Sequence, residues 1–181
     1  MNEQSQSLAD PWPRSWRIGA LLPVALTGAL AFETAWRNRL AVDDFVIVKQ
    51  LPVIGPAGWI AASLQKWWAT SFQSHDWRPF SRLTLIAQAW SMAKLGIARE
   101  WPYYIFNILA HAGVCALLLA AAVRWGIDRR AALTGALIFA AHPLHAEAVN
   151  QVVGRTELLA AGWMLAGFIL WTRWGPESPH A

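Results

Sequence analysis

The sequence predicts an all-α, polytopic integral membrane protein with about four transmembrane helices and interfacial helices in a large first outer loop. Of its 181 residues, 56% are hydrophobic and only 14% are charged, whereas roughly 25% of the residues of a typical soluble domain are charged. The chain also contains 13 Trp. Tryptophan is enriched where a membrane meets water, because its ring is apolar and its N–H is polar.

The predicted layout places a cytoplasmic tail at residues 1–17, a membrane domain at 18–174 and a polar tail at 175–181. Within the membrane domain, four apolar segments are the predicted transmembrane spans, at residues 18–36, 102–123, 131–145 and 157–173. A large outer loop, at 37–101, separates the first two spans.

The first and third of these segments need separate arguments. The first is about as long as a helix that crosses a hydrocarbon core of roughly 30 Å. A cleaved signal peptide is its alternative, because Ala29-Leu30-Ala31 imitates a signal-peptidase site, but the apolar run continues past that point. The third run is short up to Ala141, so we expect it to continue into His142-Pro143-Leu144 or to lie where the bilayer is thin or lined by protein.

Arginine placement predicts the orientation of the chain in the membrane. The basic clusters flanking the spans are Arg14 and Arg17, then Arg124, Arg129 and Arg130, and finally Arg173. With four crossings these clusters share one side, which the positive-inside rule assigns to the cytoplasm. The loops at 37–101 and 142–157 then face the periplasmic side of an inner membrane. Within the first loop, residues 80–95 form a helix that we expect to lie along the interface.

Charge and cysteine content exclude several other classes. The net charge of +4 does not indicate nucleic-acid binding, since no basic patch interleaves with aromatic residues on a polar face. The one cysteine, Cys115, lies inside an apolar run and is expected to be a small apolar filler. A single cysteine makes neither an intrachain disulfide nor a CxxC redox pair.

Two adjacent acids, Asp43 and Asp44, follow the first span closely. A carboxylate just outside the membrane can act as a general base for a hydroxyl. Adjacent side chains diverge on a helix or strand, so at most one of the pair points at a given reacting atom. The alternative is a pair of solvated loop acids.

Two further candidates lie before and within the second span. Arg78 precedes Pro79, which suits the first turn of a helix, and its guanidinium could bind a phosphate through two bonds. The alternative is an interfacial arginine that meets lipid headgroups. Asn107 and His111 are four residues apart and share a helix face, where hydrogen bonding between helices is the alternative to ligand contact.

The densest polar constellation lies between the third and fourth spans. It contains His142, His145 and Glu147, followed by Arg155 and Glu157. The order is not the HExxH pattern of zinc proteases, although two histidines and a glutamate could bind a metal ion. An arginine and an acid beside a helix start also suit an anionic headgroup.

The order of these motifs resembles a known family. The motifs are Asp-Asp-Phe, Arg-Pro-Phe, Asn-Ile-Leu-Ala-His, His-Pro-Leu-His-Ala-Glu-Ala-Val and Gly-Arg-Thr-Glu-Leu-Leu-Ala. Together they are similar to the N-terminal membrane region of the transmembrane and tetratricopeptide-repeat proteins. Those proteins are GT-C-type glycosyltransferases related to protein O-mannosyltransferases. The resemblance covers residues 18–171 and is most specific at 142–148 and 154–160.

This resemblance implies an enzyme that transfers a sugar, with inversion, from a polyprenyl-phosphate donor to a hydroxyl acceptor in protein O-glycosylation. It places the base on Asp43 or Asp44, the lipid phosphate near Arg78, His142, His145 and Arg155, and a second acid at Glu157. With the residues singled out above, the substrate-binding candidates are Arg78, His111, His142, His145, Glu147, Arg155 and Glu157. No cofactor or metal site is expected, and a divalent metal ion stays an open alternative.

Members of that family have more spans and usually a helical repeat array. We therefore expect this chain to be an N-terminal portion, a truncated gene or a split subunit, with independent activity in question. The expected partners are the lipid-linked donor, membrane lipids and a separately encoded membrane and repeat portion. A non-catalytic membrane subunit or truncated remnant is the alternative function. A small transporter component is disfavoured, because no span carries a row of ionisable residues.

Overall fold

A computed structural model describes residues 14–37, 40, 44, 48–49, 51, 53–64 and 77–174. The regular elements in this part of the chain are all helical, so the predicted all-α class is confirmed. The α-helices described are α1 (Arg14–Ala31), α2 (Trp59–Leu64), α3 (Pro79–Lys94), α4 (Trp101–Arg124), α5 (Arg129–Ala141), α6 (Ala146–Asn150) and α7 (Arg155–Trp174). Short 3₁₀ helices lie at Glu33–Arg37, Pro56–Gly58 and Pro143–His145.

Local chemistry explains several of the helix boundaries. Helix α3 begins with Pro79 in its first turn, where the missing proline N–H has no helical acceptor to lose. Helix α5 is capped by Asp128, whose side chain accepts hydrogen bonds from the N–H groups of Arg130 at 3.0 Å and Ala131 at 3.2 Å. Those bonds, the Ala131 bond first, lower the pKa of the Asp128 carboxyl, because they stabilise its ionised form.

One described helix, α4, is long and apolar enough to cross a membrane. Residues Pro143–Asn150 and helix α7 pass the same test only together, and they are bent by 112° at the break between them. The apolar part of α1, Gly19–Ala31, is shorter. The polytopic arrangement with four crossings therefore stays a prediction.

Two predicted spans differ in extent from the helices that the structure contains. Helix α1 ends at Ala31, and residues up to Arg37 form a 3₁₀ turn instead of continuing the span to 36. Helix α5 has 13 residues, about 20 Å at 1.5 Å per residue, and stops at Ala141. It stops there because His142, with ψ 128°, precedes a proline, which disfavours helical backbone in the residue before it.

The chain divides into two compact units. The described part of the first unit contains residues 14–33, 108–144 and 160–174. Its core consists of Ala20, Val24, Cys115, Leu119, Ala132, Ala136 and Ala140. Gly28 permits a close approach in this core, since a Cβ there would lie 3.1 Å from the Cys115 sulfur and 3.5 Å from the Ala112 Cα. Cys115 is thus a buried packing residue.

The described part of the second unit lies within residues 34–107 and 145–159. Helix α2 packs against α3, with the rings of Trp59 and Trp90 edge to face at 5.7 Å. The Gln88 amide of α3 donates a hydrogen bond of 2.7 Å to the Pro102 carbonyl at the start of α4. The second unit contains most of the polar residues that the sequence singles out.

Candidate functional site

A buried polar cluster in the second unit is centred on Arg155, the first residue of α7. Its side chain has 0% exposure. The guanidinium Nε donates to the Asn107 side-chain oxygen at 3.4 Å, and Nη1 donates to the Thr84 hydroxyl at 3.3 Å. Nη2 donates to the Gln88 side-chain oxygen at 2.6 Å and to the Tyr103 carbonyl at 3.3 Å. All four acceptors are uncharged.

Aromatic rings complete the surroundings of this guanidinium. Its Cζ lies 3.9 Å from the ring centroid of Phe106 and 5.9 Å from that of Tyr103. The electron-rich face of an aromatic ring attracts a cation, and the attraction is stronger where water is excluded. Hydrogen bonds to neutral groups and a ring face therefore offset the cost of burying the Arg155 charge, which would be severe without partners.

The residues around Arg155 are fixed by the same cluster. The Asn107 amide nitrogen donates to the carbonyls of Gln151 at 2.6 Å and Val149 at 3.5 Å. The Thr156 hydroxyl donates to the Ser81 hydroxyl at 3.0 Å. The backbone from 149 to 156 is thus held on both sides of its central turn.

Gly154 lies in that turn and tolerates no side chain. A Cβ built on it would lie 2.6 Å from the Cα and 2.7 Å from the carbonyl carbon of Ala148. Because those are backbone atoms, they cannot rotate away as a flexible side chain would. The glycine of the Gly-Arg-Thr-Glu motif is therefore required for close packing of the backbone.

Of the predicted catalytic acids, Asp44 lies in the second unit and Asp43 lies outside the described residues. The Asp44 side chain has 0% exposure, and its Oδ1 accepts a hydrogen bond of 3.0 Å from the Val153 N–H. Asp44 also lies within electrostatic range of the Tyr104 phenol. That phenol is buried, and its hydroxyl has no hydrogen-bond partner among the described residues. The acid predicted to be catalytic at this position is therefore a buried carboxylate that is bound to the backbone. Its catalytic role stays a prediction.

Four other candidates lie in the second unit, closer to its surface. Arg78 is exposed at the N-terminus of α3, Glu147 is exposed on α6, and Glu157 is exposed in the first turn of α7. His145 is half-buried. Asp44 and Arg155 are connected through the backbone of residues 153–155, because the Val153 N–H donates to Asp44 and the Arg155 side chain donates to Asn107.

The remaining two candidates lie in the first unit. His111 is buried, with its Nε2 3.1 Å from the Ala140 carbonyl oxygen. It packs edge to face against Phe32 at 5.2 Å and stacks on Phe139 at 6.2 Å. Its surroundings match the interhelical hydrogen bonding that the sequence offers as the alternative to ligand contact. His142 is exposed, and its Nδ1 accepts from the Leu144 N–H at 3.2 Å.

No group of three or more His, Cys, Asp or Glu among the described residues is arranged to hold a metal ion. Thr84 and Gln88 are two site residues that were not predicted from the sequence, and both accept hydrogen bonds from Arg155. Their spacing could have indicated them, because Ser81, Thr84 and Gln88 recur at the interval of one helix face and so form a polar stripe on α3. Phe106 and Tyr104 carry no such signal, since aromatic residues occur throughout this chain.

Comparison with known proteins identifies relatives of this chain. Over 81 residues it is 40% identical to Protein O-mannosyl-transferase TMTC3 of Mus musculus, a match that covers 44% of this chain and 9% of the relative. Over 153 residues it is 30% identical to Protein O-mannosyl-transferase Tmtc2 of Drosophila melanogaster, covering 82% of this chain and 16% of the relative. Over 160 residues it is 25% identical to Protein O-mannosyl-transferase TMTC2 of Homo sapiens, a match that covers 86% of this chain and 19% of the relative.

These matches confirm the resemblance predicted from the order of the motifs, since the homologues are TMTC protein O-mannosyl-transferases. The chain spans less than a fifth of the length of each of these three relatives. No family model matches the chain. No solved structure matches it either.

Proposed function

We propose that this homologue of the TMTC protein O-mannosyl-transferases is part of a GT-C-type membrane glycosyltransferase. The enzyme would transfer a sugar from a polyprenyl-phosphate donor to a hydroxyl acceptor in protein O-glycosylation. The names of the relatives support the class of reaction. The observation that carries the proposal is the buried Asp44 carboxylate, which a backbone N–H holds in place.

In this mechanism Asp44 is the general base, and its neighbour Asp43 is the other candidate. The base takes the proton of the acceptor hydroxyl while that oxygen attacks the anomeric carbon of the sugar. The bond between the anomeric carbon and the phosphate oxygen breaks, and polyprenyl phosphate leaves with the bonding electrons. A carboxylate that accepts a backbone hydrogen bond has a fixed orientation, which favours proton transfer along one direction.

Cations of the outer loops would stabilise the departing phosphate. Arg78 is the leading group, because it is exposed beside the N-terminus of α3, where the helix dipole also favours an anion. His142, His145, Glu147 and Glu157 are further candidates for contacts with the donor or acceptor. Arg155 is also predicted near the phosphate from the resemblance, but in this structure its own protein partners, among them Asn107 and Gln88, enclose its guanidinium.

Binding of polyprenyl phosphate tests this assignment directly. With the chain in nanodiscs that contain polyprenyl phosphate, we expect Arg78→Ala to weaken binding by about tenfold or more, because a charge-assisted bond contributes about 1.5–3 kcal/mol. Arg78→Lys should restore binding only in part, since lysine lacks the planar fork. The control is Arg99→Ala, an exposed arginine that follows α3. Equal affinity in all four proteins would remove Arg78 from the site.

Membrane topology provides a second test. In a Cys115→Ala background, Ala98→Cys should react with a membrane-impermeant maleimide from the periplasmic side of intact cells. Ile127→Cys should react only after the cells are opened, because the turn before α5 is predicted to be cytoplasmic. Both positions are exposed. The reverse labelling pattern would overturn the orientation and with it the periplasmic site.

A further inference from the structure

We propose that Arg155 is a positioning residue, which fixes the backbone that carries the Val153 N–H and thereby orients the Asp44 carboxylate. The inference deepens the proposed function and rests on the role of Asp44 as the base. It assigns to Arg155 a task other than contact with the donor phosphate. The observations that carry it are the contacts of the backbone from 149 to 156.

The bond that holds Asp44 comes from a short piece of backbone between two anchors. Before Val153, the Gln151 carbonyl accepts the 2.6 Å bond from Asn107. After Val153, the Arg155 side chain reaches acceptors on both α3 and α4. The Val153 N–H, which donates to Asp44, therefore lies between two fixed points of the backbone, Gln151 and Arg155.

The Asn107 side chain couples these two anchors. Its oxygen accepts from Arg155 at 3.4 Å, while its nitrogen donates to Gln151 at 2.6 Å. If the guanidinium were displaced, the Asn107 side chain would lose one partner. The same side chain holds the Gln151 carbonyl, so the anchor before Val153 would also weaken. Asn107 is itself buried, with 0% exposure, so water cannot readily replace the lost bond.

The chemistry of the guanidinium suits this task. Its rigid plane carries five N–H donors, and four hydrogen bonds join it to four different residues on two helices. A lysine ammonium is a single point with three donors, so it cannot span the same acceptors. All these acceptors are neutral and the side chain is enclosed, which favours a bracing role over a binding role.

The test compares Arg155→Lys with Arg124→Lys, in the membrane complex that contains this chain. Arg124 is a matched control, because it also binds neutral acceptors, the Thr172 hydroxyl at 3.1 Å and the Thr172 carbonyl at 3.3 Å. For Arg155→Lys we expect amide exchange at Val153 to accelerate about tenfold or more and kcat to fall about tenfold or more. These factors correspond to the loss of about one hydrogen bond. The KM for the lipid-linked donor should stay within about twofold, and Arg124→Lys should change none of these quantities.

Thr84→Val gives the same test with a smaller perturbation, should Arg155→Lys fail to fold. It removes the acceptor of Nη1 and the bond of 2.8 Å from the Thr84 hydroxyl to the Ser81 carbonyl within α3, and it preserves the size of the side chain. A raised donor KM, with kcat and Val153 exchange unchanged, would assign the guanidinium to the phosphate and overturn the inference. Normal exchange and normal kinetics in the folded variants would also overturn it.

Asp44→Asn separates this inference from the proposed function. Transfer at the wild-type rate in Asp44→Asn refutes the base, and the positioning inference fails with it, whatever Arg155→Lys does to Val153 exchange. Slow transfer in Asp44→Asn, together with wild-type kinetics in Arg155→Lys, would leave the proposed function standing and refute the positioning role alone.

Discussion

Asp44→Asn is expected to slow sugar transfer by about a hundred- to ten-thousand-fold, the usual cost of losing a general base. The asparagine side chain has nearly the same shape, and its oxygen can still accept the Val153 N–H that Asp44 binds at 3.0 Å. Folding should therefore survive, while the amide cannot take a proton from the acceptor hydroxyl. The measurement is the rate of transfer from a polyprenyl-phosphate-linked sugar in the assembled membrane complex, normalised to the inserted protein.

Two further variants are compared with Asp44→Asn, one at the neighbouring acid and one at a surface acid. Asp43→Asn shows which acid of the pair is the base. If Asp43→Asn slows transfer strongly and Asp44→Asn does not, the base is Asp43. Glu33→Gln is the matched control, because Glu33 is an exposed acid that follows α1. Loss of a surface acid costs roughly half a kcal/mol of stability or less. If both aspartate variants insert normally and turn over within a few-fold of the wild type, the acids are structural.

Gly154→Ala is expected to lower the free energy of unfolding by about 3 kcal/mol, at the upper end of the usual cost of overpacking. The added methyl would lie 2.6 Å from the Ala148 Cα, so backbone must move to admit it. That movement would displace the neighbouring Val153 and Arg155, which bind Asp44 and Asn107. Reversible denaturation in detergent micelles, followed by circular dichroism, measures the loss.

The control for this substitution is Gly135→Ala in α5. A Cβ at Gly135 would meet nothing within 4 Å, and alanine is favoured over glycine in a helix by up to about 1 kcal/mol. We therefore expect Gly135→Ala to be neutral or stabilising. Equal stability of the two variants would contradict the close packing of Gly154 against Ala148.

Local sequence signals are enough to predict the helical class and the bounds of the most apolar helix. The apolar run predicted at 102–123 is helix α4, Trp101–Arg124, because an uninterrupted run of this length favours helix whatever its neighbours are. Pro79 marked the start of α3, since proline suits a first helical turn. The Asp-Asp pair, the Gly-Arg-Thr-Glu motif and the resemblance were also evident from local order alone.

The sequence was less informative where two signals compete. The apolar run up to Ala141 is short, and the sequence left open whether the span continues into His142-Pro143-Leu144; Pro143 and the extended backbone of His142 end α5 at Ala141. The same holds for the first span, where residues beyond Ala31 form a 3₁₀ turn. Hydropathy reports the average preference of a segment, whereas a helix end depends on the hydrogen bonds of a few residues.

The pairing of the polar residues depends on how the helices pack against one another. Helical spacing indicates that Asn107 shares a face with other polar groups, but it does not show that Arg155, 48 positions away, donates to it. Likewise the Asp-Asp motif gives two equivalent acids, and the bond between Asp44 and Val153 joins residues 109 positions apart. Periodicity along one helix fixes the direction of a side chain, whereas its partner depends on which distant groups the packing of the helices brings within hydrogen-bond distance.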